Sequence, residues 1–428
     1  MPDKKLTTIE KALALNFDPL KYGTIVEIGA GQEVSRWFFQ AGGAAGSIAK
    51  TMSAYDMDVS DDIYGVTADK RYVSKDRLER MLKREFELNI SRLQDKRSED
   101  SQYFAFANTV AAQGFKKREE CHGWLGIRLQ LTPQSEPDDI ILHVRMLDDL
   151  PHNQQEALGI LGVNLIYGAY FLNKEPEALL SSLMDNLRWG RIEIDLVEFR
   201  GPTLGAIDDR LMALHLVKES LTRAVMFDLN GMIVIPADTL YKQSVFGIRG
   251  AFHTVSDTDI GMFNHAKEKF LKKPNVDGNK TVSIAEMTMA DIANEEGIDT
   301  ADFLRRVDAL SAQGFYVLIS EFFRYFRVRQ YLGRYTREPV AIVSYVNGFA
   351  EIIREDYYQG LDGGILEGLG QLFIGDTTFY IFPNIEDGKI AEPKVSLNDL
   401  PIAGELRPLV TYLHQRGQIV PIDDFSLE

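Results

Sequence analysis

The C-terminal third alternates short apolar runs with longer amphipathic ones, and this alternation narrows the possible folds more than any other feature. "VSIAEMTM" reads as a strand and "DTADFLRRVDALSAQG" as a capped helix ending at Gly314. "FYVLIS" is a strand, "EFFRYFRVRQYLG" a helix and "PVAIVSYV" a strand. Strands separated by helices of ten or more residues imply parallel pairing with right-handed crossovers. The expected class is α/β, with mixed, largely parallel sheets and covering helices.

The N-terminal part mixes the two patterns. "GTIVEIG" is a buried strand closed by glycine, and "SKDRLERMLKREFELNISRLQ" is an amphipathic helix that Ser74 can cap. "QYFAFANTVA", "WLGIRLQLT" and "DIILHVRML" follow as strands. Pro151 opens a helical run to about Leu187, and "GRIEIDLVEFRG" alternates as a strand with Ile192, Ile194 and Leu196 inside. "AVMFDLNGMIVIP" reads as a hairpin around Asn230-Gly231. Three regions are expected: 1–150, built around a Gly-rich loop; 151–275, α+β; and 276–428, α/β.

The Gly-rich loop is "VEIGAGQEVSRWFFQAGGAAGSIAKTMSAYD", residues 26–56. Glu27-Ile28-Gly29-Ala30-Gly31 after a strand has the acidic-then-glycine start of an adenosyl-binding turn. The third glycine of a dinucleotide loop is replaced by Val34. Lys50-Thr51 match the end of a phosphate loop, but Ala44 and Ala49 stand where that loop needs glycine. Neither standard pattern is met. The residues still offer an anion amide donors at Gly29, Gly31, Gly43 and Gly46 and a charge at Lys50. Glu27, Arg36, Thr51 and Asp56 would orient it. The competing reading makes these glycines packing devices.

"EECHGWLGIRLQ" sets Cys121 beside His122, and neighbours on a strand face opposite ways. His122, Arg128 and His143 lie on adjacent strands. His122 and His143 are the candidate proton carriers, and Arg128 is a candidate anion ligand. "YDMDVSDD" groups four aspartates without the glycine and glutamate of a calcium loop, and no His/Cys spacing suits zinc, so no metal ligand is assigned. "EFFRYFRVRQYLGRYTR" mixes five arginines with six aromatics. It reads first as an ion-paired or self-association surface, and nucleic acid is the less favoured reading.

Composition sets the remaining bounds. Lys and Arg total 47 against 63 Asp and Glu, a net charge of −16. That field disfavours duplex DNA and anionic membranes. The single cysteine, Cys121, excludes an internal disulfide. The absence of a long apolar window or signal-like start points to a cytoplasmic protein with no membrane partner. No cofactor is implied.

The motifs "EIGAGQEVSRWFFQAGGAAGSIAKTMSAYDM", "YFAFANTVAA", "ECHGWLGIRLQ", "GVNLIYGAYF" and "YYQGLDGGILEGLGQLF" resemble a family of bacterial proteins, over nearly the whole chain. Its members are often labelled nicotinate-nucleotide adenylyltransferases, sometimes TonB-dependent receptors. The H-x-G-H turn of such transferases is absent here, and "ESLTRA" has the wrong spacing for their second signature. A receptor barrel would need a long series of amphipathic strands. The resemblance therefore implies a bacterial source and no particular activity. The expectation is a protein binding a nucleotide-like or phosphorylated small molecule at the loop, with group transfer as the reaction class. The alternative is a non-catalytic homo-oligomer or filament.

Overall fold

The computed structural model describes residues 5–68, 70–114, 120–294, 297–386, 389–390 and 400–425. The chain divides into two compact units, Met1–Thr222 and Arg223–Glu428. The boundaries expected near 150 and 275 do not fall there. Leu150 caps a helix of the first unit, and 275 lies in the turn between a helix and a strand of the second.

In the first unit the elements run α1 (Thr8–Asn16), β1 (Lys21–Ile28), α2 (Glu33–Ala41), β2 (Ile48–Met52), α3 (Met57–Tyr64), α4 (Lys75–Leu93) and β3 (Gln102–Ala111). They continue with β4 (His122–Leu129), β5 (Asp138–Met146), α5 (Pro151–Phe171), α6 (Pro176–Ser182), β6 (Ile192–Arg200) and α7 (Asp209–Lys218). The sheet order is β2-β1-β3-β4-β5-β6. β1 pairs parallel with both β2 and β3, while β3 to β6 are antiparallel neighbours. The connections between β3 and β4 and between β4 and β5 are too short for a crossover helix, so those strands reverse.

The two faces are covered differently. Phe104, Phe106, Leu125, Ile127, Ile140 and Leu142 face the main core, with Val34 and Phe38 of α2 and Leu158 and Leu161 of α5. On the other face Phe86 of α4 packs on Tyr103 and Ala105. Helix α5 is apolar on nearly all sides because it is buried on nearly all sides. Its glycines let α2 approach: a Cβ on Gly162 would lie 2.4 Å from Val34 Cγ2. The one polar residue in its middle, Asn164, donates to Leu183 O and Asp185 O and accepts from Lys11 Nζ at 2.9 Å. Burial lowers the Lys11 pKa, and Asp185 at 2.8 Å offsets part of that.

The chain leaves β1 through α2 towards β2 on one side. It returns through α3 and α4, on the opposite face, to β3 on the other side of β1. The carboxyl ends of β1 and β3 therefore bound a topological switch point, where open α/β sheets characteristically form a ligand crevice.

The second unit has β7 (Ala224–Phe227), β8 (Ile233–Val234), β9 (Ser244–Arg249), α8 (Asp257–Leu271), β10 (Thr281–Thr288), α9 (Thr300–Ala312) and β11 (Tyr316–Ser320). These are followed by α10 (Tyr325–Tyr335), β12 (Val340–Tyr345), α11 (Gly364–Leu372), β13 (Thr377–Phe382), α12 (Arg407–Gln415) and β14 (Ile419–Pro421). Its main sheet has the order β14-β13-β12-β9-β10-β11-β7-β8, parallel from β14 to β11. The order in which strands are added reverses between β9 and β12. At the carboxyl ends of these strands Arg249 forks onto Glu286 of β10 at 2.9 and 2.8 Å, and Tyr345 donates to Asp259 at 3.0 Å. β7 and β8 form the expected hairpin, and the Asp228 carboxylate accepts from the amides of Asn230 and Met232. The aromatic–arginine stretch is less of a surface than expected, since Phe322, Phe326, Tyr331 and Tyr335 are core residues.

Candidate functional site

The structure does not gather the Gly-rich loop into one cradle. Gly29 and Gly31 follow the carboxyl end of β1, whereas Gly43 and Gly46 precede the amino end of β2. Because β1 and β2 are parallel, with Gly23 opposite Ile48, the two glycine pairs lie at opposite ends of the sheet, roughly 20 Å apart. Gly43 and Gly46 pack against α1. Asn16 Nδ2 donates to Phe38 O and Gly42 O, and Asn16 Oδ1 accepts from Ser47 Oγ.

Lys50 and Thr51 lie within β2, Lys50 opposite Thr24 and Thr51 opposite Ile25. That sets Lys50 roughly 16 Å along the strand direction from Gly29. Its ammonium is ion-paired with the buried Glu85 of α4, which also accepts from Tyr64 at 3.0 Å. Burial and the Glu85 charge push the Tyr64 pKa up. Lys50 therefore neutralises an internal carboxylate, not a ligand. Lys50→Ala is expected to lower stability by about 1–3 kcal/mol, the cost of leaving Glu85 unpaired, discounted because Lys50 is one-third exposed. Urea unfolding measures this; an unchanged midpoint would rule out the internal role.

The amides at the start of α2 are also taken. Glu27, buried at the end of β1, accepts from Val34 N at 2.9 Å, Ser35 N at 3.1 Å and Ser35 Oγ at 2.8 Å. Burial raises its pKa, and these hydrogen bonds oppose the rise. Its carboxylate occupies the place that a pyrophosphate takes in a dinucleotide loop. The Gly31 amide donates to the Tyr55 hydroxyl at 2.8 Å. Arg36 pairs with Glu33 on the outer face of α2, and Asp56 caps α3 through Val59 N. Arg128 forks onto Asp139 at 2.8 and 2.7 Å, six residues down β4 from His122. None of these three joins the histidines.

The two histidines do come together. His122 stands opposite Arg145, and His143 stands opposite Trp124, on the α4 face of the sheet. His122 Nδ1 lies 3.0 Å from His143 Nε2, and His143 Nδ1 lies 2.5 Å from Asp195 Oδ1. The Trp124 ring meets His143 edge-on, with centroids 4.9 Å apart. His143 and Asp195 are 2% and 4% exposed, and His122 is half-buried. A register shift in the β5–β6 pairing at His143/Val144 brings Asp195 to this face. Beside them Arg145 reaches Glu193 at 3.1 Å, and Glu193 accepts from Thr222 Oγ1.

The polarity of this chain follows from its buried end. A carboxylate only accepts, so His143 carries its proton on Nδ1 and presents the Nε2 lone pair to His122. His122 then donates through Nδ1, and its own lone pair lies on Nε2. Proton uptake at His122 Nε2 would be supported through two rings by a buried negative charge. This is the arrangement that makes an imidazole an effective general base.

The His122 end of the relay, on β4, lies next to the β3 side of the switch point. A Cβ on Gly29 would meet Val110 O, and a Cβ on Gly123 would meet Val110 Cγ1 at 2.7 Å. Gly29 and His122 thus flank the same end of β3, about 10 Å apart by two strand spacings. Gln113, just beyond β3, donates its amide to Gln154 Oε1 in the first turn of α5 at 2.8 Å. Sequence reasoning missed Asp195. The available signal was a run of alternating acids in "GRIEIDLVEFRG" facing His143 and Arg145 on a neighbouring strand.

No helix among the described residues is long and apolar enough to cross a membrane. No family model and no curated protein matches the chain. Among solved structures, the chain is similar to the competence/damage inducible protein CihA of Agrobacterium tumefaciens, at 17% identity and a TM-score of 0.28, over 37% of this chain and 93% of that one. It is similar to a competence-damaged protein (CinA) superfamily protein of Enterobacter cloacae, at 12% identity and a TM-score of 0.29, over 40% and 95%. A member of the same superfamily from Escherichia coli gives 14% identity and a TM-score of 0.27, over 43% and 93%.

Proposed function

We propose that the first unit is an acid–base enzyme acting on a small polar molecule of the nucleotide-like or phosphorylated class, bound at the carboxyl ends of β1 and β3. The observation that carries this reading is the Asp195–His143–His122 relay. Stacking a carboxylate and two imidazoles in a defined order is costly for a structure that needs only packing, and it supplies what proton transfer needs. His122 would take a proton from the substrate nucleophile or give one to the leaving group. His143 and Asp195 would be positioning residues. Group transfer or hydrolysis is the reaction class that uses such a base. Ligand phosphate would not sit at the start of α2, where Glu27 already serves.

The test is a thermal-shift screen of nucleotides, sugar phosphates and related metabolites on the full chain, followed by turnover assays on the hits. A ligand at a hundred times its Kd stabilises by about 2.7 kcal/mol. His122→Gln should retain the unliganded Tm and lose turnover. A hit turned over equally well by His122→Gln and His143→Gln would remove the relay from the reaction.

A further inference from the structure

Among the described residues, the second unit has one buried arginine with no carboxylate partner. Of the three buried arginines among the described residues, Arg77 pairs with Asp61 and Arg306 with Asp302. Arg329, in the middle of α10 and 4% exposed, has neutral acceptors only. Its Nε donates to Thr377 Oγ1 at 2.8 Å and its Nη2 to Ile374 O at 3.0 Å. Nη1 is buried with no hydrogen-bond partner. Leaving a buried cation without a counter-charge is among the costlier arrangements a fold can hold. Burial and the neighbouring Arg337 bring the Arg329 pKa down to about 10.

Arg329 borders a cavity of about 450 Å³ whose rim carries two more arginines, Arg334 and Arg337, with Gln330 and Gln371 beside them. Both rim arginines are exposed, and among the described residues no carboxylate lies within ion-pair distance of any of the three. A Cβ on Gly333 would press within 3.0 Å of Nη1, so glycine leaves the guanidinium room beside the helix. The negative end of α10 accounts for a cation at Arg334 in its last turn. It does not account for Arg329 about a turn and a half earlier or for Arg337 beyond the helix.

We propose that this cleft binds the phosphoryl group of a small molecule, with Arg329 Nη1 as the buried anchor and Arg334 and Arg337 closing on it from the rim. Three guanidinium groups and no acid suit a multiply charged oxyanion better than a single carboxylate, because each fork can offer two parallel N–H donors. A single-stranded nucleic acid fits less well. Three of the helix's four aromatics, Phe326, Tyr331 and Tyr335, are buried, and the fourth, Tyr325, has its ring covered by Arg249, so they offer bases no platform.

The experiment is calorimetric titration of the full chain with inorganic pyrophosphate at low ionic strength. Saturable one-site binding is expected. The double variant Arg334→Ala/Arg337→Ala should keep the unliganded Tm and weaken binding at least about tenfold, the loss of one good charged contact. Arg329→Met should also lose binding while its unliganded Tm holds or rises, since it removes an unanswered buried charge. His122→Gln should bind pyrophosphate like the unaltered chain, so this site and the relay stand or fall separately. No saturable binding, or binding indifferent to the rim arginines, overturns the proposal. So would binding of a single-stranded oligonucleotide with none of pyrophosphate.

Discussion

Replacing Asp195 with asparagine is expected to lower the turnover of any substrate found for the first unit by about 10²- to 10⁴-fold while the chain stays folded. The carboxylate can only accept, and that alone orders the protons of His143 and His122. An amide also offers N–H donors. It can hold His143 with its proton on Nε2, and His122 Nδ1 must then accept. The His122 proton moves to Nε2, and the nitrogen that should receive the substrate proton already carries one. Losing the charge-assisted hydrogen bond also lowers stability by about 1–3 kcal/mol, less than the ~5–15 kcal/mol typical of folded proteins. Nitrogen–proton correlation spectra of the two rings test the proton order without any substrate. Tautomers unchanged in Asp195→Asn would mean that the carboxylate does not set the relay, and the activity argument would fall with it.

The fold class was legible because periodicity reports which faces are buried. The α/β alternation, the Ser74-capped helix, the Asn230-Gly231 hairpin and the buried strand before Gly29 all follow from local patterns. The site was half legible. His122 and His143 could be placed on neighbouring strands, since alternation fixes which residues share a face. Asp195 could not, because it is the extra residue of a bulge between the pairs His143–Leu196 and Val144–Ile194, and a bulge depends on the partner strand. The Gly-rich loop misled for a related reason. Local spacing shows that Gly43, Gly46 and Lys50 follow Gly29 within about twenty residues, but not that a parallel strand puts them at the far end of the sheet or in its middle. Glu27 illustrates a third limit. An acid before two glycines looks like a ligand contact, yet here the carboxylate stands in for the ligand at the start of α2. The arginines after β11 were read as a surface, whereas burial divides them: Arg329 inside, Arg334 and Arg337 at the rim.

Gly29→Ala is expected to cost about 2–5 kcal/mol, more than any other single methyl added at the carboxyl end of the first sheet. Two separate terms add. Gly29 has φ +101°, a region that costs a residue with a Cβ about 1–2 kcal/mol. The new Cβ would also stand 1.9 Å from the carbonyl oxygen of Val110, which is backbone in the neighbouring strand and cannot turn aside. Relieving the contact means parting β1 from β3, an overpacking cost of about 1–3 kcal/mol. Gly31→Ala provides the contrast. Its φ is +78°, but the nearest atoms to its Cβ belong to the Gln155 side chain at 3.6 Å, so only the backbone term of about 1–2 kcal/mol applies. Urea denaturation of the pair separates the two roles that glycine can have here. If the large cost falls on Gly29 and the small one on Gly31, Gly29 is there to let two strands close beside the relay. Equal and small costs, with ligand binding lost from both variants, would mean instead that the turn is a cradle for an anion and that the close approach of β1 to Val110 is not what the glycine serves.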